Sequence, residues 1–212
     1  MPKKNSHHLS LNGQWLLLDD AEQIGNGIPL SIGTAVKKGV NAARALVKER
    51  ARDPKTPYYG INTGFGFFAN IRISDSELHQ LQHNILKSHA SGWGKPLSIE
   101  ETRLAMALRL NVLLQGHTGV RIELCQALHA LIQADIYPVI PEYGSVGASG
   151  DLIPLAHLSL PLIGEGTVFY KGEILPSRTA LKKAGLKPIE LVEKEGLGLI
   201  NGTQIMLAVG SL

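Results

Sequence analysis

Residues 144–151 read GSVGASGD, a run of small side chains that gives up packing and costs backbone entropy. Such a run belongs where the backbone must bend sharply or approach something closely. Several familiar chemistries fail on it. A serine-hydrolase elbow requires Gly-x-Ser-x-Gly, but Ser149 sits in Gly147-Ala148-Ser149-Gly150-Asp151, with aspartate in place of the final glycine. A phosphate-binding loop ends in Gly-Lys-Ser/Thr, and no lysine is present here. The dinucleotide fingerprint needs a preceding strand and another spacing, whereas Gly144, Gly147 and Gly150 recur at every third position. What remains is chemistry of the main chain. If Ala148-Ser149-Gly150 bends tightly, the Gly150 amide nitrogen can attack the carbonyl carbon of Ala148 and close a five-membered ring through Ser149. Glycine suits the attacking position because no side chain blocks the approach. Loss of one water completes the ring, and loss of the Ser149 hydroxyl as a second leaves an exocyclic methylene. The product, a 4-methylidene-imidazole-5-one, is a strong electrophile that needs no external cofactor. His79 and His83, four apart, could present two metal ligands on one helix face. Neither a third ligand nor an adjacent glutamate accompanies them, so they read as helix surface and no metal is expected.

The elements that must hold this loop are mostly helices. Asn12-Gly13 between two alternating segments predicts a β-hairpin at the start. A helix is expected over roughly 31–52, then a long loop of proline, tyrosine and glycine over 53–72, of the kind that tends to carry function. Ser74 with Glu77, and Ser98 with Glu101, are capping-box pairs that predict helices near 74–91 and 98–116. A further helix is expected near 120–135. Asp151 is placed to cap a helix whose Pro154 falls in the tolerated first turn. TVFYKGEIL at 167–175 predicts a hairpin about Lys171-Gly172, then a short helix near 176–184 and a last one from about 193. That last pattern, LGLINGTQIMLAVGSL, is still apolar and periodic at Leu212, so it must bury its surface against another chain or further sequence.

Composition narrows the setting. The 212 residues, 44% hydrophobic and 18% charged, suit a soluble globular chain with a real core. The 21 basic and 18 acidic residues are interspersed, which argues against a nucleic-acid or membrane-surface partner. The single cysteine, Cys125, excludes a disulfide framework and reads as a small buried hydrophobe in a reducing compartment. Lys3 and Lys4 precede only a short apolar run, Trp15 to Leu18, and no stretch approaches the length of a membrane span, so a cytoplasmic location is expected.

The segments GSVGASGDLIPLAH at 144–157, YGINTGFG at 59–66, LQHNILKSHASG at 81–92 and EGLGLINGTQ at 195–204 together resemble the aromatic amino acid ammonia-lyases, in that family's order and spacing. The resemblance runs from residue 8 to the end and is nearest to the histidine-specific members. It implies a mainly α fold, the ammonia-lyase/fumarase-like helical fold, with residues 1–192 as the domain bearing the ring and 193–212 as the start of a central helical bundle. It also implies histidine catabolism: elimination of ammonia from L-histidine to give urocanate. The β-proton is weakly acidic and ammonia leaves poorly, so an electron sink and a positioned base are both needed. By resemblance, Ala148, Ser149 and Gly150 form the sink, Asp151 assists its formation, Tyr59 is the base and Asn201 bonds near the ring and substrate. A phenol of pKa ~10 needs a positive environment to act as that base. Gly60 is assigned to substrate binding in a closing loop, and His89 to contact with the substrate's ring. A histidine there suits imidazole or a phenol hydroxyl better than a bare phenyl ring. Tyrosine ammonia-lyase or aminomutase activity is therefore the alternative, and a non-catalytic assembly subunit a third reading. Family chains run over twice this length, form homotetramers, and draw a glutamine, a second tyrosine, an arginine and a glutamate from downstream helices. The resemblance therefore implies an N-terminal portion, inactive alone, that works as a homo-oligomer or with a separate C-terminal chain.

Overall fold

A computed structural model describes residues 8–212; Lys3 and Lys4 lie outside the described residues. The chain begins with strand β1 (Leu9–Leu11), helix α1 (Leu18–Gly25) and strand β2 (Leu30–Ile32). The expected N-terminal hairpin does not form: β1 pairs with β2 in parallel, Leu9 opposite Leu30. The chain turns at Asn12-Gly13 but does not fold back on β1. The Gly13 N–H donates to Asn111 Oδ1 at 2.9 Å and the Gln14 carbonyl accepts from Asn111 Nδ2 at 2.8 Å, so a buried asparagine leads the chain away. Asp19 and Asp20, which close the apolar run in the sequence, instead open α1. The Asp20 carboxylate accepts the Leu17 N–H at 2.8 Å, as anions at a helix start do.

Helix α2 (Val36–Ala51) leads into the irregular loop, which contains a single 3-10 turn at Gly66–Phe68. Next come helix α3 (Asp75–His89), strand β3 (Trp93–Pro96), helix α4 (Ile99–Leu114) and helix α5 (Ile122–Gln133). The capping box at Ser98 is complete: its hydroxyl accepts the Glu101 N–H at 3.1 Å, and Glu101 accepts the Ser98 N–H at 2.8 Å. Ser74 differs: its hydroxyl donates to the Glu77 carboxylate, and the Glu77 N–H goes instead to the Ser74 carbonyl at 2.9 Å. Helix α4 is buried over most of its surface, with Leu104, Ala105, Met106, Ala107, Leu110 and Leu113 fully buried, and it forms the centre of the helical packing, in contact with α1 and α5. Cys125 on α5 is buried in the same core, which pushes its thiol up to about 12 and makes it inert.

Strands β4 (Tyr137–Pro138) and β5 (Pro141–Tyr143) bring the chain to the small-residue loop, from which helix α6 (Leu152–Ser159) departs. Strands β6 (Thr167–Tyr170) and β7 (Glu173–Pro176) form the expected hairpin about Lys171-Gly172, both at positive φ, and β4 adds a third strand. Helix α7 (Ser177–Lys183) comes after the hairpin. The expected single helix from 193 is two, α8 (Glu195–Ile200) and α9 (Gln204–Ser211), broken at Asn201-Gly202-Thr203. Both capture of the α8 carbonyls by a buried arginine and capture of an α9 amide by Asp151 favour the break. Helix α9 also packs on α4, while its Leu207 and Val209 remain exposed. Among the described residues, no helix is long and apolar enough to cross a membrane.

Candidate active site

Three helices, α3, α6 and α8, pack against one another and carry or adjoin the loop residues singled out by sequence. Strand β5 hands the chain to that loop, and its antiparallel partner β3 comes directly after α3, with Trp93 opposite Tyr143. The end of α3, where His89 lies, is thereby tied to the start of the loop.

Gly147–Ser149 form a 3-10 turn in which the Gly150 N–H donates to the Gly147 carbonyl at 3.0 Å and the Ser149 N–H to the Val146 carbonyl at 3.2 Å. Gly150 has φ +124° and ψ 158°, a conformation open only to glycine. The peptide between Gly150 and Asp151 is held from both sides. Its oxygen, that of Gly150, accepts the Val146 N–H at 2.9 Å, and its N–H, that of Asp151, donates to the Gly202 carbonyl at 2.8 Å. Ala148 and Ser149 are exposed at the crest.

Asp151 is fully buried and does not cap α6 with its side chain, contrary to the sequence expectation. One carboxylate oxygen accepts the Ser145 hydroxyl, and the other accepts the Met206 N–H at 2.9 Å. Ser145 Oγ in turn accepts the Gly147 N–H at 3.1 Å. The carboxylate thus joins the 147–149 turn to the start of α9, a use that outcompetes local capping.

Two adjacent tyrosines part company in the 53–72 loop. The Tyr58 hydroxyl is taken by Arg50 Nη1 at 2.6 Å and Asp53 at 3.2 Å. Tyr59 is 54% exposed and touches Phe65 edge to face at 6.1 Å between ring centroids. Gly60 lies against Leu197 of α8, so closely that a Cβ would come within 2.6 Å of Leu197 Cδ2. Its N–H is spent on Thr63 Oγ1 at 3.2 Å. Buried Asn62 holds the loop's shape, accepting the Tyr58 N–H at 2.7 Å and donating to the Thr56 carbonyl at 3.0 Å.

His89 ends α3 half-buried, with Nδ1 at 2.8 Å from the Ile85 carbonyl. A carbonyl only accepts, so Nδ1 carries a proton in this contact, and in that Nδ1–H tautomer Nε2 is the ring's acceptor atom. The loop after it is fixed by His157 of α6, whose Nε2 accepts the Gly92 N–H at 3.1 Å; burial lowers the pKa of that histidine and favours the neutral form this bond requires. Asn201 lies just past the end of α8 in an extended conformation, exposed, in the turn whose Gly202 carbonyl holds Asp151.

The structure therefore links Gly150, Asp151 and Asn201 through one hydrogen-bonded turn, ties the segment that follows His89 to the same loop through β3 and His157, and packs the Tyr59-Gly60 segment on Leu197 of α8. Sequence reasoning passed over Ser145, Asn62, His157 and Arg109. Only Arg109 carried a signal, as a charge inside the apolar run MALRLNVLL.

A family model described as aromatic amino acid lyase matches residues 16–212. The histidine ammonia-lyase of Stigmatella aurantiaca is 49% identical over 205 residues, 96% of this chain and 40% of that protein. Among solved structures, histidine ammonia-lyase from Trypanosoma cruzi superposes with a TM-score of 0.88 at 38% identity, covering 97% of this chain and 39% of that one. Tyrosine aminomutase from Streptomyces globisporus superposes with a TM-score of 0.90 at 33% identity, covering 97% and 38%. The chain spans about 40% of the length of the curated relatives it matches.

Proposed function

Because the chain belongs to the aromatic amino acid lyase family, we propose that it serves the elimination of ammonia from L-histidine to give urocanate, through a ring built from Ala148, Ser149 and Gly150. The observation that carries this reading is the 3-10 turn ending in Gly150 at φ +124°, with the next peptide held at both its oxygen and its N–H. A backbone already curled and fixed has prepaid most of the entropy of an intramolecular attack.

The residues present fit the group. The Gly150 nitrogen bonds to the Ala148 carbonyl carbon, and the carbonyl oxygen leaves as water with the amide protons of Gly150 and Ser149. The Ser149 Cα proton and hydroxyl then leave as the second water. Asp151, buried and within a hydrogen bond of Ser145, is the anion nearest in sequence to these protons. When formed, the group supplies the electron sink that the substrate's amine requires. Tyr59, exposed on its loop, is the residue assigned to take the β-proton. His89 accepts the substrate's ring N–H at Nε2, and Asn201 offers its side chain at the turn beside Gly150. A small-molecule amino acid is the substrate, and assembly into a homo-oligomer is part of this reading.

The test is a graft in which these residues replace the matching portion of the Stigmatella aurantiaca enzyme, assayed side by side with L-histidine, L-tyrosine and L-phenylalanine. Urocanate as the dominant product is the expected result. Preference for tyrosine would move the assignment to the second reading, which the likeness to a tyrosine aminomutase favours because His89 Nε2 can equally accept a phenol O–H. No turnover of any of the three would remove the lyase reading.

His89→Leu in the same graft is expected to lower kcat/KM for histidine on the order of tenfold to a hundredfold, the cost of leaving a polar ring atom unpaired. Activity on phenylalanine should rise relative to histidine. Unchanged relative rates across the three amino acids would take His89 out of substrate recognition.

A further inference from the structure

Arg109 is an unusual residue to find at the centre of the molecule. It is 2% exposed, on the central helix α4, and among the described residues no carboxylate pairs with it. Burial pushes its guanidinium down to about 10, still charged at neutral pH, and its Nε has no hydrogen-bond partner. A buried, unpaired cation is costly, and a fold keeps one where its geometry is needed.

Its geometry is that of a clamp. Nη2 donates to the Gly198 carbonyl, and Nη1 donates to the Asn201 carbonyl at 3.1 Å and to Gln204 Oε1 at 2.8 Å. These acceptors bracket the break between α8 and α9. On the other side of the same break, the Asp151 carboxylate accepts the Met206 N–H in the first turn of α9, and the Asp151 N–H donates to the Gly202 carbonyl. One cation therefore holds the carbonyls that α8 leaves unpaired and one anion holds an amide of α9. Gly202 lies between them with no room to spare: a Cβ there would meet Gln204 Oε1 at 2.2 Å and Arg109 Nη1 at 2.5 Å.

We propose that Arg109 is a positioning residue for ring formation, which fixes the Gly202 carbonyl and through it the Gly150–Asp151 peptide in the attitude cyclisation needs. The same contact sets the backbone of Asn201. This inference rests on the reading that Ala148, Ser149 and Gly150 cyclise. The contribution is geometric, since Arg109 touches none of the reacting atoms. A misplacement of about 1 Å in such an arrangement typically costs on the order of a hundredfold in rate.

The experiment is a time course of intact mass on the folded protein, separated from unfolded material, for the parent, Arg109→Met and Gly202→Ala. The second variant disturbs the same contact while retaining the buried charge, so it serves where Arg109→Met fails to fold. Loss of two waters is expected in the parent and at least tenfold slower loss in folded molecules of either variant. Folded variants that mature at the parent's rate would show that Arg109 only stabilises the fold and would overturn the inference. A parent that never loses the two waters would remove the ring itself, and the role of Arg109 with it.

Discussion

Ser149→Ala is expected to leave a folded protein that never loses the two waters and, in the graft, to bring urocanate formation down to background. The substitution removes the hydroxyl that must leave to create the exocyclic methylene, and nothing nearby can replace it. Ser149 is exposed and its side chain makes no hydrogen bond among the described residues, so the cost to stability should stay within about 0.5 kcal/mol. Thermal unfolding therefore separates the chemical effect from a structural one. Lyase turnover in Ser149→Ala close to that of the parent graft would end the case for a ring at this position.

Tyr59→Phe should mature normally and yet lose kcat on the order of 10²–10⁴-fold, the usual contribution of a positioned general base. The reason to expect so clean a separation is structural. Tyr59 packs on Phe65 through its ring, which phenylalanine keeps, and its hydroxyl takes no part in the hydrogen bonds that shape the loop. Those bonds come from Asn62, Thr63 and Tyr58. Intact mass and steady-state rates measured on one preparation decide it. A variant that turns over at the parent's rate would pass the base role to another residue, and one that fails to lose water would make Tyr59 part of ring formation.

What could be read in the sequence was whatever depended on neighbours along the chain. Ser98 and Glu101 announce α4 because both halves of the capping box lie within one turn, and Lys171-Gly172 announces the β6–β7 hairpin because both residues accept positive φ. The proposed ring at Ala148-Ser149-Gly150 could be formulated for the same reason, since it would use only consecutive atoms. Where distant groups decide, local signals misled. Asn12-Gly13 has the residues of a hairpin turn, yet Asn111, 98 positions away from Gly13, pulls the chain elsewhere and leaves β1 to a parallel partner. Asp151 has the position of a cap, yet its oxygens go to Ser145 and Met206. The apolar periodicity after residue 193 is real in both α8 and α9, and the break between them is favoured by Arg109, 92 residues before Asn201. Tyr58 and Tyr59 are indistinguishable by type, and only the Arg50–Asp53 cluster tells which hydroxyl is already engaged.

The hydrogen bond from Met206 to Asp151 spans 55 residues, and that separation has a meaning in time. A chain lengthening at roughly 5–20 residues per second presents Ala148-Ser149-Gly150 several seconds before Met206 exists. During that interval the Gly202 carbonyl that anchors the Asp151 N–H is missing as well, so the tripeptide emerges as an ordinary flexible segment. On the proposed reading, self-modification would thereby be scheduled after the helices that frame the tripeptide, and a nascent chain would be spared a reactive alkene before those contacts exist.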